Sequence, residues 1–282
     1  MRSAIGVTLV AAAAAAAVLV ARSRQLHAAF RREVRVALAN ARTVPLVSEA
    51  DLASLPSSIR IYLRRAGVLN RPRVRNFRAL FSAEMRTAPD APWMQARAEQ
   101  YDFFAPTSRF FLMRASRGGV PFVVLHRYAD GAATMEVRIA GLIPVVTLSG
   151  DQMTRSETVT LFNDMCLLAP AALLDVPVTW VDLANHQVRG TFTNAGFTVS
   201  AILTFAANGD LVEFQSEDRS MAEGKSMRRL PWTTPVSEYA DFDGLRLVKR
   251  AEARFTDGGR TWAYGRFVLE EIAYNVSSDG SW

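Results

Sequence analysis

Three histidines and one cysteine among 282 residues set narrow limits on what this chain can do with imidazole or thiolate. His27, His126 and His186 stand apart, without His-x-x-x-His or Cys-x-x-Cys spacing, so the sequence implies no metal and no cofactor. Cys166 lies among Met165, Leu167 and Leu168, the surroundings of a packed thiol. A Gly-x-Ser-x-Gly elbow, a Gly-x-Gly-x-x-Gly turn and a phosphate loop ending in Gly-Lys-Ser/Thr are all absent. The commonest serine-hydrolase and nucleotide-binding chemistries are thereby excluded, and no residue is assigned as catalytic.

Carboxylates leave more room. Glu157, Thr160 and Asp164 fall on one helical stripe with Asn163 beside it, amid apolar residues. Facing water, that stripe would be an ordinary solvated surface. Facing a protein interior, Asn163 and Asp164 would need partners, and Arg219 and Arg266 are the cations proposed for Asp164. Glu99 and Gln100 open a second patch, where strand alternation puts Glu99 on the face of Tyr101 and Phe103. An acid on an aromatic face is either a strained, functional group or an edge residue in contact with water. With Trp232 from the aromatic set, the ligand-binding candidates are Glu99, Gln100, Asn163, Asp164, Arg219, Trp232 and Arg266.

These residues need a scaffold, and the pattern after Val74 supplies one. Short runs rich in β-branched and aromatic residues recur about every ten positions, separated by Asp130-Gly131, Asn208-Gly209, Asp243-Gly244 and Asp257-Gly258-Gly259. That is the signature of an antiparallel meander. Six runs lie between Phe77 and Leu148 and seven between Val178 and Tyr274. The segment between them reads as a helix, with Thr154 and Glu157 as its capping box and Pro170 as its interruption. The fold class is therefore mainly β (α+β): one large curved antiparallel sheet or half-barrel with a crossover helix, preceded by N-terminal helices.

Upstream, the chain divides by composition. Residues 3–21 carry no charge and no proline, close to the ~20 residues that span a hydrocarbon core. Seven consecutive alanines, Ala11 to Ala17, make this a weak span. It is either an uncleaved anchor or, given its Ala-x-Ala triplets, a cleaved signal peptide. No cysteine is near enough for a lipoprotein anchor. Leu26, Phe30, Val34, Ala37, Leu38 and Ala41 then recur at helical spacing, with Arg24, Arg31, Arg32, Arg35 and Arg42 between them. This basic amphipathic helix lies either on anionic headgroups, through Arg22, Arg24, Arg31, Arg32 and Arg35, or against the β-domain with its arginines in water.

The net charge of +6 is not a nucleic-acid signal. Residues 1–75 hold 13 Lys/Arg against 3 Asp/Glu, so the β-region itself is mildly acidic. Six arginines between residues 22 and 42 also place the domain on the cytoplasmic side by the positive-inside rule, a periplasmic or extracytoplasmic location being the alternative. The expected divisions are 1–21 as membrane segment, 22–44 as juxtamembrane helix, 45–72 as short helices, 73–276 as β-domain and 277–282 as tail. Within 45–72, Ser48 with Asp51 approximates a capping box, and Gly67 suits a left-handed helix end.

A series of segments resembles a family. Leu55-Pro56-Ser57-Ser58-Ile59-Arg60-Ile61-Tyr62-Leu63-Arg64-Arg65-Ala66-Gly67, Ala98-Glu99-Gln100, Gly141-Leu142-Ile143-Pro144-Val145 and Ala169-Pro170-Ala171-Ala172-Leu173-Leu174 come first. Ser216-Glu217-Asp218-Arg219, Pro231-Trp232-Thr233-Thr234-Pro235 and Tyr264-Gly265-Arg266 follow in order. Together they look like a bacterial domain-of-unknown-function family whose members often carry an N-terminal membrane segment. The resemblance covers about Leu52 to Asn275 and implies no activity. Where many members have a tryptophan before the Pro-x-Ala-Leu element, this chain has Met165-Cys166-Leu167-Leu168, so a pocket there would differ. In architecture the pattern is also similar to half-barrel lipoprotein-carrier proteins, whose curved sheets enclose acyl chains, although fold does not fix function.

A curved sheet of this size has more inward apolar positions than one helix covers. The sequence therefore favours a membrane-anchored module binding a lipid or other apolar small molecule, beside an anionic bilayer surface and without nucleic acid. Its rivals are an enzyme on a lipid or envelope component, built on Asp164, Glu99 and Arg219, and a membrane-protein interaction scaffold.

Overall fold

A computed structural model describes residues 19–39, 44–224 and 226–280. The apolar segment expected at Met1–Ala21 falls outside them up to residue 18. Among the described residues no helix is long and apolar enough to cross a membrane.

Helix α1 (Gln25–Leu38), which helical residues 19–23 precede, is followed by a single turn, α2 (Glu49–Leu52), and by α3 (Ser57–Ala66). Asp51 accepts a hydrogen bond from the Ser48 backbone N–H at 2.8 Å, the acidic half of the expected capping box. Gly67 ends α3 in the left-handed conformation, at φ +80°, where a Cβ would be strained.

Six strands then run as a meander: β1 (Asn76–Met85), β2 (Met94–Phe104), β3 (Thr107–Arg117), β4 (Val120–Ala129), β5 (Ala132–Ile139) and β6 (Ile143–Leu148). Helix α4 (Asp151–Leu168) and a 3₁₀ turn (Pro170–Leu174) follow. The second series is β7 (Val178–Asp182), β8 (Gln187–Asn194), β9 (Phe197–Phe205), β10 (Leu211–Ser216), β11 (Ser220–Glu223), β12 (Ser226–Arg229), β13 (Trp232–Phe242), β14 (Leu245–Asp257) and β15 (Arg260–Tyr274).

Thirteen strands form one antiparallel sheet in the order β6-β5-β4-β3-β2-β1-β15-β14-β13-β10-β9-β8-β7. The last strand returns to pair with the first, Phe77 opposite Tyr274, which joins the two meanders in the middle of the sheet. The edges are thus β6 and β7, and α4 connects them across one face. That face is concave. Phe162 of α4 packs on Trp180, Phe192 and Phe214 of the second series, while Thr158 meets Tyr128 of the first. Asn194, in the β8–β9 turn, donates to Tyr128 on β4, so the two wings of the sheet approach each other around the helix.

Wrapping of this kind explains the composition of α4. From Met153 to Leu168 every residue except Arg155 is buried, so the helix has no broad polar face. Its hydroxyls are satisfied locally: Thr158 and Thr160 donate to the carbonyls of Thr154 and Ser156. The capping box expected from Thr154 and Glu157 does not form. Gly150, at φ 89°, precedes the first turn, Thr154 donates to its carbonyl, and Glu157 is drawn inward by Arg109 and His126.

Two local readings also change. The β11–β12 hairpin and the first four residues of β13 were not legible as strands, because Pro231 and Pro235 mark that stretch as a loop. Pro235 is accommodated beside an irregularity of register between Val236 and Glu238.

Candidate functional site

Strand alternation sorts the charged residues of β2 onto two faces. Ala98, Gln100, Asp102 and Phe104 point inward, and Glu99, Tyr101 and Phe103 point outward. The outer face is covered by α1, whose Phe30, Val34 and Leu38 bury Tyr101, Phe103, Phe110 and Leu112. On the inner face lies α4.

The inner cluster centres on Arg109, which stands directly opposite Asp102 in the β2–β3 hairpin. Its Nε donates to Asp164 Oδ2 at 2.7 Å and its Nη1 to Glu157 Oε2 at 2.9 Å, while Nη2 reaches Gln100 Oε1 at 3.3 Å. Gln100 in turn donates to Asp164 at 2.8 Å and to Asp102 at 3.0 Å. His126 on β4 places Nδ1 2.9 Å from the other Glu157 oxygen, its ring edge-on to Phe111. Asn163, next along α4, donates to Thr234 on β13 at 2.7 Å.

Three acids therefore share one guanidinium in a site closed to water, and they do not titrate alike. Burial, followed by the charge of Asp164, pushes the Asp102 carboxyl well above the usual range, and among the described residues its Oδ2 has no hydrogen-bond partner. Burial also raises Asp164, against the pull of Arg109. For Glu157 burial acts in the same upward direction, but His126 and Arg109 outweigh it and hold the carboxyl at about 2. The cluster thus offers a carboxyl held low at Glu157 and, at Asp102 and Asp164, carboxyls whose affinity for a proton is raised by burial.

Beside it the concave face leaves a cavity of ≈160 Å³. Phe81, Met85, Phe111, Met113, Phe267 and Leu269 supply its apolar walls, and Gln100, Arg109, His126, Glu157, Asn163 and Asp164 lie at its polar end. Trp232 and Arg219 line it as well, the Arg219 guanidinium lying 4.7 Å from the Trp232 ring centre. Larger grooves of ≈420 and ≈430 Å³ open beside Val68–Val74 and beside Ser82–Glu84, but neither is lined by a fully buried carboxylate.

Five of the seven residues proposed from sequence thus meet at this cavity: Gln100, Asn163, Asp164, Arg219 and Trp232. The other two do not. Glu99 is buried on the opposite face of β2, gripped by Arg31 at 3.2 and 2.6 Å and by Arg78 at 2.7 Å. Arg266 points outward, with Glu252 at 3.1 Å and Glu84 at 3.4 Å. The cation expected for Asp164 was Arg219 or Arg266, and the structure supplies Arg109 instead, because only Arg109 projects inward next to Gln100. An active centre combining Asp164 with Glu99 is ruled out by the sheet lying between them. Arg31, expected at a membrane surface, is buried against Glu99, whereas Arg32 and Arg35 keep exposed side chains.

Asp102, Arg109, His126 and Glu157 were not singled out from sequence. A signal existed for two of them: Gln100 and Asp102 alternate onto one face, and Arg109 faces Asp102 across a short turn. His126 and Glu157 are brought in by strand order and by the crossover, which no local pattern encodes. Cys166 is buried, its thiol raised by burial and its backbone carbonyl accepting from Tyr62. That is the packed thiol the sequence indicated.

The sequence from residue 45 to residue 267 matches the model of a family of unknown function, DUF6544. The chain belongs to DUF6544. This is the family resemblance that the motifs carried. No curated protein matches it. Among solved structures, this DUF6544 chain is similar to a DUF1329 family protein from Desulfovibrio piger, with 11% identity, 79% of this chain and 94% of that one covered, and a TM-score of 0.43. It is also similar to a domain assigned to outer membrane lipoprotein sorting in Vibrio parahaemolyticus, with 11% identity, coverage of 72% and 87%, and a TM-score of 0.40. A LolA superfamily protein from Nitrosomonas europaea shares 13% identity over 78% and 94% of the two chains, with a TM-score of 0.37.

Proposed function

We propose that this DUF6544 protein is a membrane-tethered binding module whose half-barrel holds an apolar small molecule or a single lipid chain. The observation behind this reading is the cavity: an aromatic and aliphatic wall with its polar groups gathered at one end, the usual layout of a small-ligand site. Its size sets the class. An engineered apolar cavity of ~150 Å³ takes a benzene-sized guest, while drug-sized ligands occupy ~300–1,000 Å³. A cavity of ≈160 Å³ suits a ring or a stretch of one alkyl chain, with any remainder leaving through the mouth.

The tether is supported by the apolar run in residues 3–21 and by what surrounds its end. The Ser23 carbonyl packs on Gly141 in the β5–β6 turn, where a Cβ would come within 2.2 Å, so the chain enters the domain there. Leu19, Val20, Ile143 and Val145 are exposed at that end, an apolar rim beside the entering segment. Arg22, Arg24 and Arg32 follow along the chain with exposed side chains that suit anionic headgroups, Arg35 being paired with Asp279, and the positive-inside rule favours the cytoplasmic side.

Native mass spectrometry and lipid extraction of the full chain test the binding reading. A co-purifying apolar molecule, or uptake of an added one, is the expected result. A protein that carries none and takes up none overturns it. Reporter fusions at the C-terminus report the side of the membrane.

A further inference from the structure

The cavity contains one unusual cation. Arg109 is saturated by Asp164, Glu157 and Gln100, and Lys249 pairs with Glu238 at 3.5 Å. Arg219 lines the same cavity, yet among the described residues it makes no ion pair, and its buried Nε has no hydrogen-bond partner. The nearby carboxylates are engaged elsewhere. Asp218, its neighbour in sequence, binds Arg229 and accepts from the Ser200 backbone N–H. Glu252 is held by Arg254 and Arg266, and Glu157 is bonded to Arg109 and His126, with Arg219 acting on it only through its charge. Arg219 instead lies over aromatic rings, its Cζ 4.7 Å from the Trp232 ring centre and 5.9 Å from that of Phe255.

A guanidinium in that position is costly unless something answers its donors. The position over Trp232 holds the guanidinium at the cavity and leaves its Nε–H unspent, an arrangement suited to binding an oxyanion. The cavity walls beyond it are apolar. We infer that Arg219 is the headgroup receptor of the cavity, and that the ligand is a single-chain amphiphile with an anionic head, a carboxylate or a phosphate monoester.

This assignment rests on the reading of the cavity as an apolar-ligand site, and the test separates the two. Decanoate, methyl decanoate, decyl phosphate and inorganic phosphate are titrated against the full chain by competition with a fluorescent polyene fatty acid. Decanoate or decyl phosphate should bind about 10- to 100-fold more tightly than the ester, the worth of one hydrogen-bonded charge, and inorganic phosphate should not compete. In R219M, which keeps the apolar stem over Trp232, the acids should fall to the affinity of the ester while the ester is unchanged. R219K, which keeps the charge and loses the fork, should lie between. Equal binding of acid and ester by the wild type, or equal weakening of both in R219M, overturns the headgroup assignment and leaves the apolar site standing. Competition by inorganic phosphate as strong as that by decyl phosphate makes this a free-anion site and overturns the amphiphile. Failure of every decyl probe, the ester included, overturns the binding module itself.

Discussion

On the face of β2 that meets α1, one carboxylate, Glu99, is held by two guanidiniums, whereas on the face that meets α4 one guanidinium, Arg109, is shared by Glu157, Asp164 and, at 3.9 Å, Asp102. Both sets are buried, and they meet the same strand from opposite faces, Glu99 on one side and Gln100 and Asp102 on the other. The outer set has cation to spare and all its acid satisfied, which makes it a clamp joining helix to sheet. In the inner set acid is in excess, so part of it must hold protons or leave oxygens unmatched, as Asp102 does. Excess of acid next to a cavity is a chemical resource; excess of cation beneath a helix is a fastening.

The sharpest way to break this comparison is to remove the shared guanidinium. R109M leaves Glu157 and Asp164 buried without their cation and should cost about 3–5 kcal/mol at pH 7 by urea unfolding. A loss below about 1 kcal/mol would mean that the acids are neutral or hydrated, and the contrast with the outer face would vanish. R31M leaves Glu99 with Arg78 and should cost less, about 1–3 kcal/mol, with faster amide exchange confined to α1. A loss larger than that of R109M would reverse the ranking of the two faces.

The smallest effect depends on pH and sharpens the account of the inner set. Asp102 has its folded pKa raised above the ordinary 3.8, so its protonated form contributes stability that is complete below 3.8 and is lost as pH rises through the folded value. Glu157, held at about 2, behaves oppositely: its contribution is present above 4.5 and lost as pH falls through about 2. D102N cannot ionise. Its stability relative to the wild type should therefore increase from pH 4 to pH 8. A difference that does not change with pH would show that Asp102 is ionised throughout.

Much of the fold was legible because turns and alternation are local. Asp130-Gly131 and Asp243-Gly244 take positive φ at both positions, as hairpins require, and the strands they separate were placed closely. The middle of the sheet was not legible, since nothing in either strand says that β15 pairs with β1 across nearly 200 residues of chain. The site shows the same division. Asp164 and Asn163 were recognised as polar residues on an otherwise apolar helix, and burial confirmed that they needed partners. Which partners depended on the order of strands under the helix. Arg219 and Arg266 therefore looked equivalent until the fold put Arg219, in the link between β10 and β11, at the cavity and Arg266, on β15, outside it. Glu99 and Gln100 are the plainest case: adjacent residues of one motif, assigned together, serve opposite faces.

That strand has a further consequence for how the sequence can change. Because β2 has distinct partners on both sides, inserting or deleting a single residue between Ala98 and Phe104 exchanges the two faces. Glu99 would then confront α4, and Asp102 and Gln100 would confront α1, so neither set would find its counter-ions. Most strands of an open sheet tolerate substitution on the solvent side and have one face to preserve. Here a length change is two simultaneous errors, so family members should vary in length at the turns flanking β2 and keep its count of residues fixed.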